Sequence, residues 1–164
     1  MKPGIHIEIP GFGRLELTAL LTDYTGTLTC GGRLAEGVKE RLAALSELVE
    51  IHVLTSDTFG TARHELAGLP VRLLLLEGCD HDVQKARYLR DHFPPRHVVA
   101  LGNGNNDRLM LQAVKEGGGL AIAVDAGEGC AVEALRHAHL LIRGAAPALE
   151  LLKDPRRLKA ILRF

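Results

Sequence analysis

Ile5, Ile7 and Ile9 alternate with the polar His6 and Glu8, the two-residue period of a half-buried strand. "PGFG" at Pro10 to Gly13 supplies turn residues, and "RLELTALLTD" resumes an extended pattern. Together they predict a β-hairpin over residues 1–17 and then a strand that stops at Asp23. Thr29 to Arg33 reads as a turn and Leu34 to Val49 as a helix. "VEIHVLTSD" is a strand, "TFGTARHELAG" a helix closed by Gly68, "VRLLLLEG" a strand, and "DVQKARYLRDHF" a helix stopped by Pro94 and Pro95. "RHVVALGNG", "LAIAVD" and "HLLIRG" are the remaining strands. "NDRLMLQAVKEGGG" and "GCAVEALRHA" are helices between them, and "PALELLKD" and "PRRLKAILRF" are helices at the end.

This alternation predicts an α/β fold: a doubly wound, mainly parallel sheet in a Rossmann-like three-layer arrangement, with the hairpin as an N-terminal addition. The runs "LLLL" and "HVVAL" lack polar alternation, as strands covered on both faces do. One domain is expected over 1–164, with the hairpin at 1–17 and terminal helices at 145–164. Between Asp23 and the second core strand there is room for a turn and one helix, so no cap domain is expected.

Composition narrows the partners. Twenty Lys and Arg balance twenty Asp and Glu with no long run of one sign, which argues against nucleic acid and an acidic membrane surface. No apolar stretch is long enough to span a bilayer, and Gly11 and Gly13 interrupt the start where a signal peptide would be apolar, so a cytoplasmic protein is the expectation. Cys30, Cys79 and Cys130 form no CxxC pair, which argues against a disulfide framework or a structural zinc site. The apolar stripe of Leu158, Ile161, Leu162 and Phe164 is expected to dock on the core or on a partner subunit of a homo-oligomer.

In open α/β sheets, ligands bind beyond the carboxyl ends of the strands. The first core strand here runs into Asp23 and "YTGT", the second into Thr55, Ser56 and Asp57, and the fourth into "GNGNND", Gly102 to Asp107. Lys85 lies on the helix after the third. This set suits phosphoryl transfer. A carboxylate is already ionised at neutral pH, but it needs cations and N–H groups to approach a phosphate. Gly26 lets the backbone pass close to the phosphate, and Thr27 and Thr55 can donate to its oxygens. Lys85 can balance charge. Asp107, with Asn103 and Asn106, can hold Mg²⁺ directly or through waters, because that ion prefers oxygen ligands.

The order and spelling of these pieces resemble the haloacid dehalogenase (HAD) superfamily of aspartate-nucleophile phosphotransferases, and within it the phosphorylation domain of P-type ATPases. Those enzymes carry DKTGTLT where this chain has "DYTGTLT", TGD where it has "TSD", a lysine where Lys85 stands, and GDGxND where it has "GNGNND". The likeness spans Leu15 to Asp125. It implies a HAD-like fold and a free-standing Mg²⁺-dependent phosphatase that forms an aspartyl phosphate on Asp23. It implies catalytic roles for Asp23, Thr25, Thr55 and Lys85, and substrate contacts from Gly26, Thr27, Ser56, Gly104 and Asn106. Asp23, Thr25 (through its backbone carbonyl), Asn103 and Asp107 are the implied metal residues. The implied partner is a small phosphorylated substrate, nucleotides among the candidates.

Two departures bear on the chemistry. Many HAD phosphatases place a second aspartate two residues after the nucleophile, where this chain has Thr25, as the ATPases do. A threonine is a poor proton shuttle, and general acid–base help is worth about 10²- to 10⁴-fold, so slow turnover of alkyl phosphates is expected. Asn103 replaces a metal-binding aspartate and brings no charge, which supports an alternative: a catalytically weak or inactive binding or regulatory module. A response-regulator receiver also uses a strand-end aspartate, a hydroxyl residue and a lysine. It carries the aspartate on the third strand with an acidic pair at the first, a pattern this chain lacks. Elsewhere, Asp57 is expected to be a helix cap or a surface residue rather than a metal ligand, "CDH" at Cys79 to His81 to be a surface loop, and "GGG" at Gly117 to Gly119 to end a helix. His137 and His139 are expected to be structural or solvent-exposed.

Overall fold

The computed structural model describes residues 1–164. Strands β1 (Ile5–Ile9) and β2 (Gly13–Leu17) form an antiparallel hairpin whose alternate apolar residues are buried. Thr18 then passes the chain into a second sheet. Its N–H donates to the His97 carbonyl at 2.8 Å, and its own carbonyl accepts from Glu50 N at 3.0 Å. "RLELTALLTD" is therefore two strands in two sheets.

The second strand is β3 (Ala19–Asp23). A short antiparallel hairpin of β4 (Thr29–Cys30) and β5 (Arg33–Leu34) follows it, where a plain turn is expected from sequence. Then come α1 (Val38–Ser46), β6 (Glu50–Thr55), α2 (Thr61–Glu65), β7 (Arg72–Leu75) and α3 (His81–His92). The remainder is β8 (Val98–Gly102), α4 (Arg108–Glu116), β9 (Leu120–Asp125), α5 (Val132–Arg136), β10 (Leu140–Arg143), α6 (Ala145–Lys153) and α7 (Pro155–Leu162). The expected helix from Leu34 is shortened because Leu34 belongs to β5 and Gly37 has a left-handed backbone before α1 begins.

Six strands lie side by side in the order β10, β9, β8, β3, β6, β7, each pair parallel. The two central strands, β3 and β8, are buried throughout. Successive residues on each strand point to opposite faces and make two cores. Leu20, Val53, Val99, Leu101 and Ile122 face the hairpin, α1, α6 and α7. Ala19, Leu21, Leu54, Ala100 and Ala121 face α3, α4 and α5. The run "LLLL" is the exception to expectation. Its first three residues lie in β7, an edge strand, where Leu75 is 37 % exposed because the outer rim has no further strand to cover it; Leu76, just past the strand, is buried.

The stripe on α7 divides. Leu158 and Leu162 are buried, whereas Ile161 and Phe164 are exposed. Gly119 does more than end a helix: a Cβ there would stand 2.3 Å from the Pro95 carbonyl and 2.4 Å from that of Val98. Only glycine allows β9 to start so close to β8. No helix is long and apolar enough to cross a membrane.

From β3 the chain steps outward through β6 to β7, then returns to β8 on the other side of β3 and continues to β10. The reversal opens a crevice beyond the carboxyl ends of β3 and β8, the usual ligand position in open α/β sheets.

Candidate active site

Asp23 ends β3, and its side chain stands in that crevice, 5 % exposed. The next residues wind around one atom: the Tyr24 carbonyl accepts from the N–H groups of Thr27 at 3.3 Å, Leu28 at 2.9 Å and Thr29 at 3.2 Å. Gly26 has φ 76° and donates its N–H to Thr29 Oγ1 at 3.1 Å. A Cβ at Gly26 would stand 2.4 Å from Asn103 Nδ2. The glycine thus provides both the left-handed turn and the room for the β8 loop.

Lys85 reaches the same point from the first half of α3. It is the largest side chain fully enclosed, and its Nζ donates to Asp23 Oδ1 at 2.8 Å and to Asp107 Oδ1 at 2.7 Å. Asp107 is also fully buried, and its Oδ2 accepts from the backbone N–H groups of Asn103 and Gly104, both at 3.0 Å. Thr27 Oγ1 lies 3.2 Å from Asp23 Oδ2 and 3.1 Å from Asn103 Oδ1. Its single hydrogen serves one acceptor at a time.

The cluster holds two carboxylates and one ammonium. Burial, with repulsion from Asp107, outweighs the pull of Lys85 and pushes the Asp23 carboxyl up to about 6. Burial works against the Lys85 charge too, but the two carboxylates more than compensate and raise its pKa, so it stays an ammonium. Tyr24, whose ring enters the core, is pushed up to about 12 by burial and by Glu65 and Asp57, and remains a neutral phenol.

A cleft of about 370 Å³ opens over these groups. β3 and its turn contribute Asp23 and Thr25, β6 contributes Thr55 and Ser56, and the β8 loop contributes Asn103, Gly104 and Asn106. Lys85 lines it as well, with Leu76 and His81. Of the residues expected from sequence, Asp107 alone among the four metal candidates does not line the cleft. It lies behind Lys85, with both oxygens in hydrogen bonds. Gly26 and Thr27 flank the cleft through Asn103 and Asp23. Asp57 has φ 42°, and its carboxylate accepts from Ala62 N at 2.6 Å and Arg63 N at 3.1 Å, tying down the start of α2.

His81 is expected from the sequence to lie in a surface loop. It is not in a surface loop: it is the first residue of α3 and lines the cleft. The available signal was its position four residues before Lys85, one helical turn away on the same face. A wider polar groove of about 810 Å³ lies between the β4–β5 hairpin and α2, lined by Arg33, Lys39 and His64 among others. It contains none of the strand-end groups, which gather in the smaller cleft.

The donors facing the cleft are oxygens of mixed kind, and no group of three or more His, Cys, Asp or Glu side chains gathers to hold a metal ion. The carboxylate of Asp23, the amide oxygen of Asn103 and a carbonyl of the Thr25 turn fit a hard ion that keeps several waters, as Mg²⁺ does. They do not fit a zinc-type site.

No protein-family model matches this chain. Two proteins of Methanocaldococcus jannaschii, both called uncharacterized, are similar in sequence. MJ0072 is 49 % identical over 39 residues, 24 % of this chain and 89 % of that protein. MJ0073 is 33 % identical over 75 residues, 46 % of this chain and 76 % of that protein. Among solved structures, a HAD family hydrolase of Streptomyces avermitilis superposes with a TM-score of 0.64 at 20 % identity, covering 83 % of this chain and 82 % of the other. The cobalt-bound deoxy-D-mannose-octulosonate 8-phosphate phosphatase of Haemophilus influenzae gives 0.65 at 15 % identity, covering 88 % and 89 %. The 3-deoxy-D-manno-octulosonate 8-phosphate phosphatase of Moraxella catarrhalis, solved with magnesium ion, phosphate ion and a KDO molecule, gives 0.64 at 15 %, covering 88 % and 92 %. The chain belongs to the family of the two archaeal proteins, and its fold is the HAD fold shared by these solved structures.

Proposed function

We propose that this protein is a Mg²⁺-dependent phosphatase in which Asp23 attacks the phosphorus of a small phosphorylated substrate and carries the phosphoryl group as an aspartyl phosphate. The observation that carries this reading is the Asp23 carboxylate at the cleft floor, held at 2.8 Å by Lys85 and at 3.2 Å by Thr27. Structural neighbours that are phosphatases support it, two of them solved with a divalent ion. The motif spelling supports the narrower P-type-ATPase-like subtype.

Asp23, Asn103 and the Thr25 carbonyl would hold Mg²⁺, which when bound neutralises charge between the carboxylate and the incoming phosphate. Asp107 acts one step back: it keeps Lys85 aimed at Asp23 and shapes the Asn103–Gly104 loop by accepting its two N–H groups. Lys85 offsets the repulsion of two anions. The Thr55 and Ser56 hydroxyls and the side-chain amide of Asn106, all lining the cleft, are the donors available to the phosphoryl oxygens. The hydroxyl of Thr25 is too weak an acid to protonate a leaving group at neutral pH, so an alkyl leaving group needs a proton from elsewhere. Three unpaired cysteines favour a reducing, cytoplasmic setting.

The neutral Asn103, already in contact with Thr27, favours a second reading: a module that binds phosphate without turnover. Mg²⁺ with p-nitrophenyl phosphate or ATP separates the two. Wild type should release phosphate and Asp23→Asn should not. Equal rates in both would refute the nucleophile assignment, and phosphate binding without release would favour the module.

A further inference from the structure

His81 Nε2 is sealed from solvent and has no hydrogen-bond partner in the protein. A buried polar atom left unpaired costs about 1–3 kcal/mol, so such atoms need a reason. Here the residue lines the same cleft as Asp23 and stands one turn before Lys85 on α3. The other enclosed histidines are engaged. His52 contacts Tyr88 at 2.7 Å and Glu50 at 3.2 Å, and His139 accepts from Ala121 N at 3.0 Å.

The approach to His81 is also held in place. Asp80, just before it, has φ 54°, in the left-handed region. The Gln84 side-chain amide, one turn further on, donates to the carbonyls of Glu77 at 2.6 Å and Cys79 at 2.8 Å. It also reaches Asp80 Oδ1 at 3.1 Å. Asp82, the next acidic residue, is engaged by Arg108 at 3.0 Å. The loop is thus clamped to the helix that carries both His81 and Lys85, and the imidazole is left with a free nitrogen.

We propose that His81 is the catalytic acid and base of this phosphatase, the part that Thr25 cannot play. The proposal rests on the Asp23 reading above. In the first step an Asp23 oxygen forms a bond to phosphorus, the bond from phosphorus to the ester oxygen breaks, and the imidazolium Nε2–H, turned into the cleft by rotation about the His81 side-chain bonds, passes its proton to that leaving oxygen. In the second step water attacks the aspartyl phosphate, the bond from phosphorus to Asp23 breaks, and the now neutral imidazole takes the water proton. The sum is ester plus water to alcohol plus phosphate, with His81 returned to its starting form. Imidazole suits both directions because one ring nitrogen can donate a proton in one form and accept it in the other.

Leaving-group dependence tests the idea. With Mg²⁺ present, turnover of an alkyl phosphate such as glycerol phosphate and of p-nitrophenyl phosphate is compared in wild type, His81→Gln, His81→Ala and Asp23→Asn. Both His81 variants should lose about 100-fold on the alkyl ester and no more than about threefold on the aryl ester, whose leaving group needs no proton. Added imidazole should restore part of the alkyl rate to His81→Ala. Equal losses on both esters, no loss on either, or a wild type inert toward alkyl esters would overturn the proposal. Full activity of Asp23→Asn would instead overturn the reading beneath it. Gln keeps a donor amide near the Nε2 position, so a fold defect confined to His81→Ala leaves the test intact.

Discussion

Lys85 Nζ lies 2.7 Å from Asp107 Oδ1, and neither side chain reaches solvent. The pair forms the rear of the site, and Asp23 joins it at the front. Lys85→Met keeps the bulk but leaves two enclosed carboxylates without their cation. Removing one partner of a buried ion pair costs about 3–5 kcal/mol. Chemical denaturation at pH 7.5 should show a loss of this size. The loss should shrink in acid as Asp23 takes up its proton.

The raised pKa of Asp23 makes a distinct statement about pH. Its folded value of about 6 lies above the ordinary 3.8, so folding favours the protonated form. Stability from this group is full below pH 3.8 and is lost as pH rises through about 6. Asp23→Asn carries no charge to desolvate. Without divalent ions, it should match wild type near pH 4 and exceed it at pH 7.5 by on the order of 1–3 kcal/mol. Melting curves across this range check the sign. For the same reason the Asp23 nucleophile should lose activity as pH falls through about 6, at low Mg²⁺.

Gly26→Ala meets two obstacles at once, a φ of 76° and an Asn103 Nδ2 at 2.4 Å from the new Cβ. A cost of about 1–3 kcal/mol is expected, with at least a tenfold loss of turnover. Asn103→Ser in the same chain should relieve the collision but not the backbone strain, so stability should recover only in part.

Asn103→Asp would bring a second carboxylate to the cleft beside Asp23. Mg²⁺ affinity, read by calorimetric titration, should rise about tenfold, because ligand charge dominates binding of hard cations. Unchanged affinity would show that Asn103 does not face the ion.

Thr25→Asp supplies a side-chain acid two residues after the nucleophile. Alkyl phosphate turnover should rise about tenfold or more, and the gain should be larger in a His81→Gln background, where no other proton donor remains. Steady-state rates in the four combinations measure this coupling.

The sequence by itself determined the layers and most of the strand ends. Period-two alternation marks β1, an unbroken apolar run marks β8, and glycine and proline mark the joints, all properties that act over a few residues. It also determined which residue types stand at the carboxyl ends of β3, β6 and β8, and hence which chemistry to look for. What it could not decide were effects of distant neighbours. "LLLL" reads as a fully covered strand, and its exposure in β7 follows from its place at the rim. Nothing in "GNGNND" shows that Asp107 stands behind Lys85, with two backbone amides and the ammonium on its oxygens. His81 reads as part of a loop, yet one helical turn ties it to Lys85 and to the cleft. Only the tertiary structure sets these placements, because which atoms a side chain meets depends on contacts across 22 positions, as for Lys85 and Asp107, or 62, as for Lys85 and Asp23.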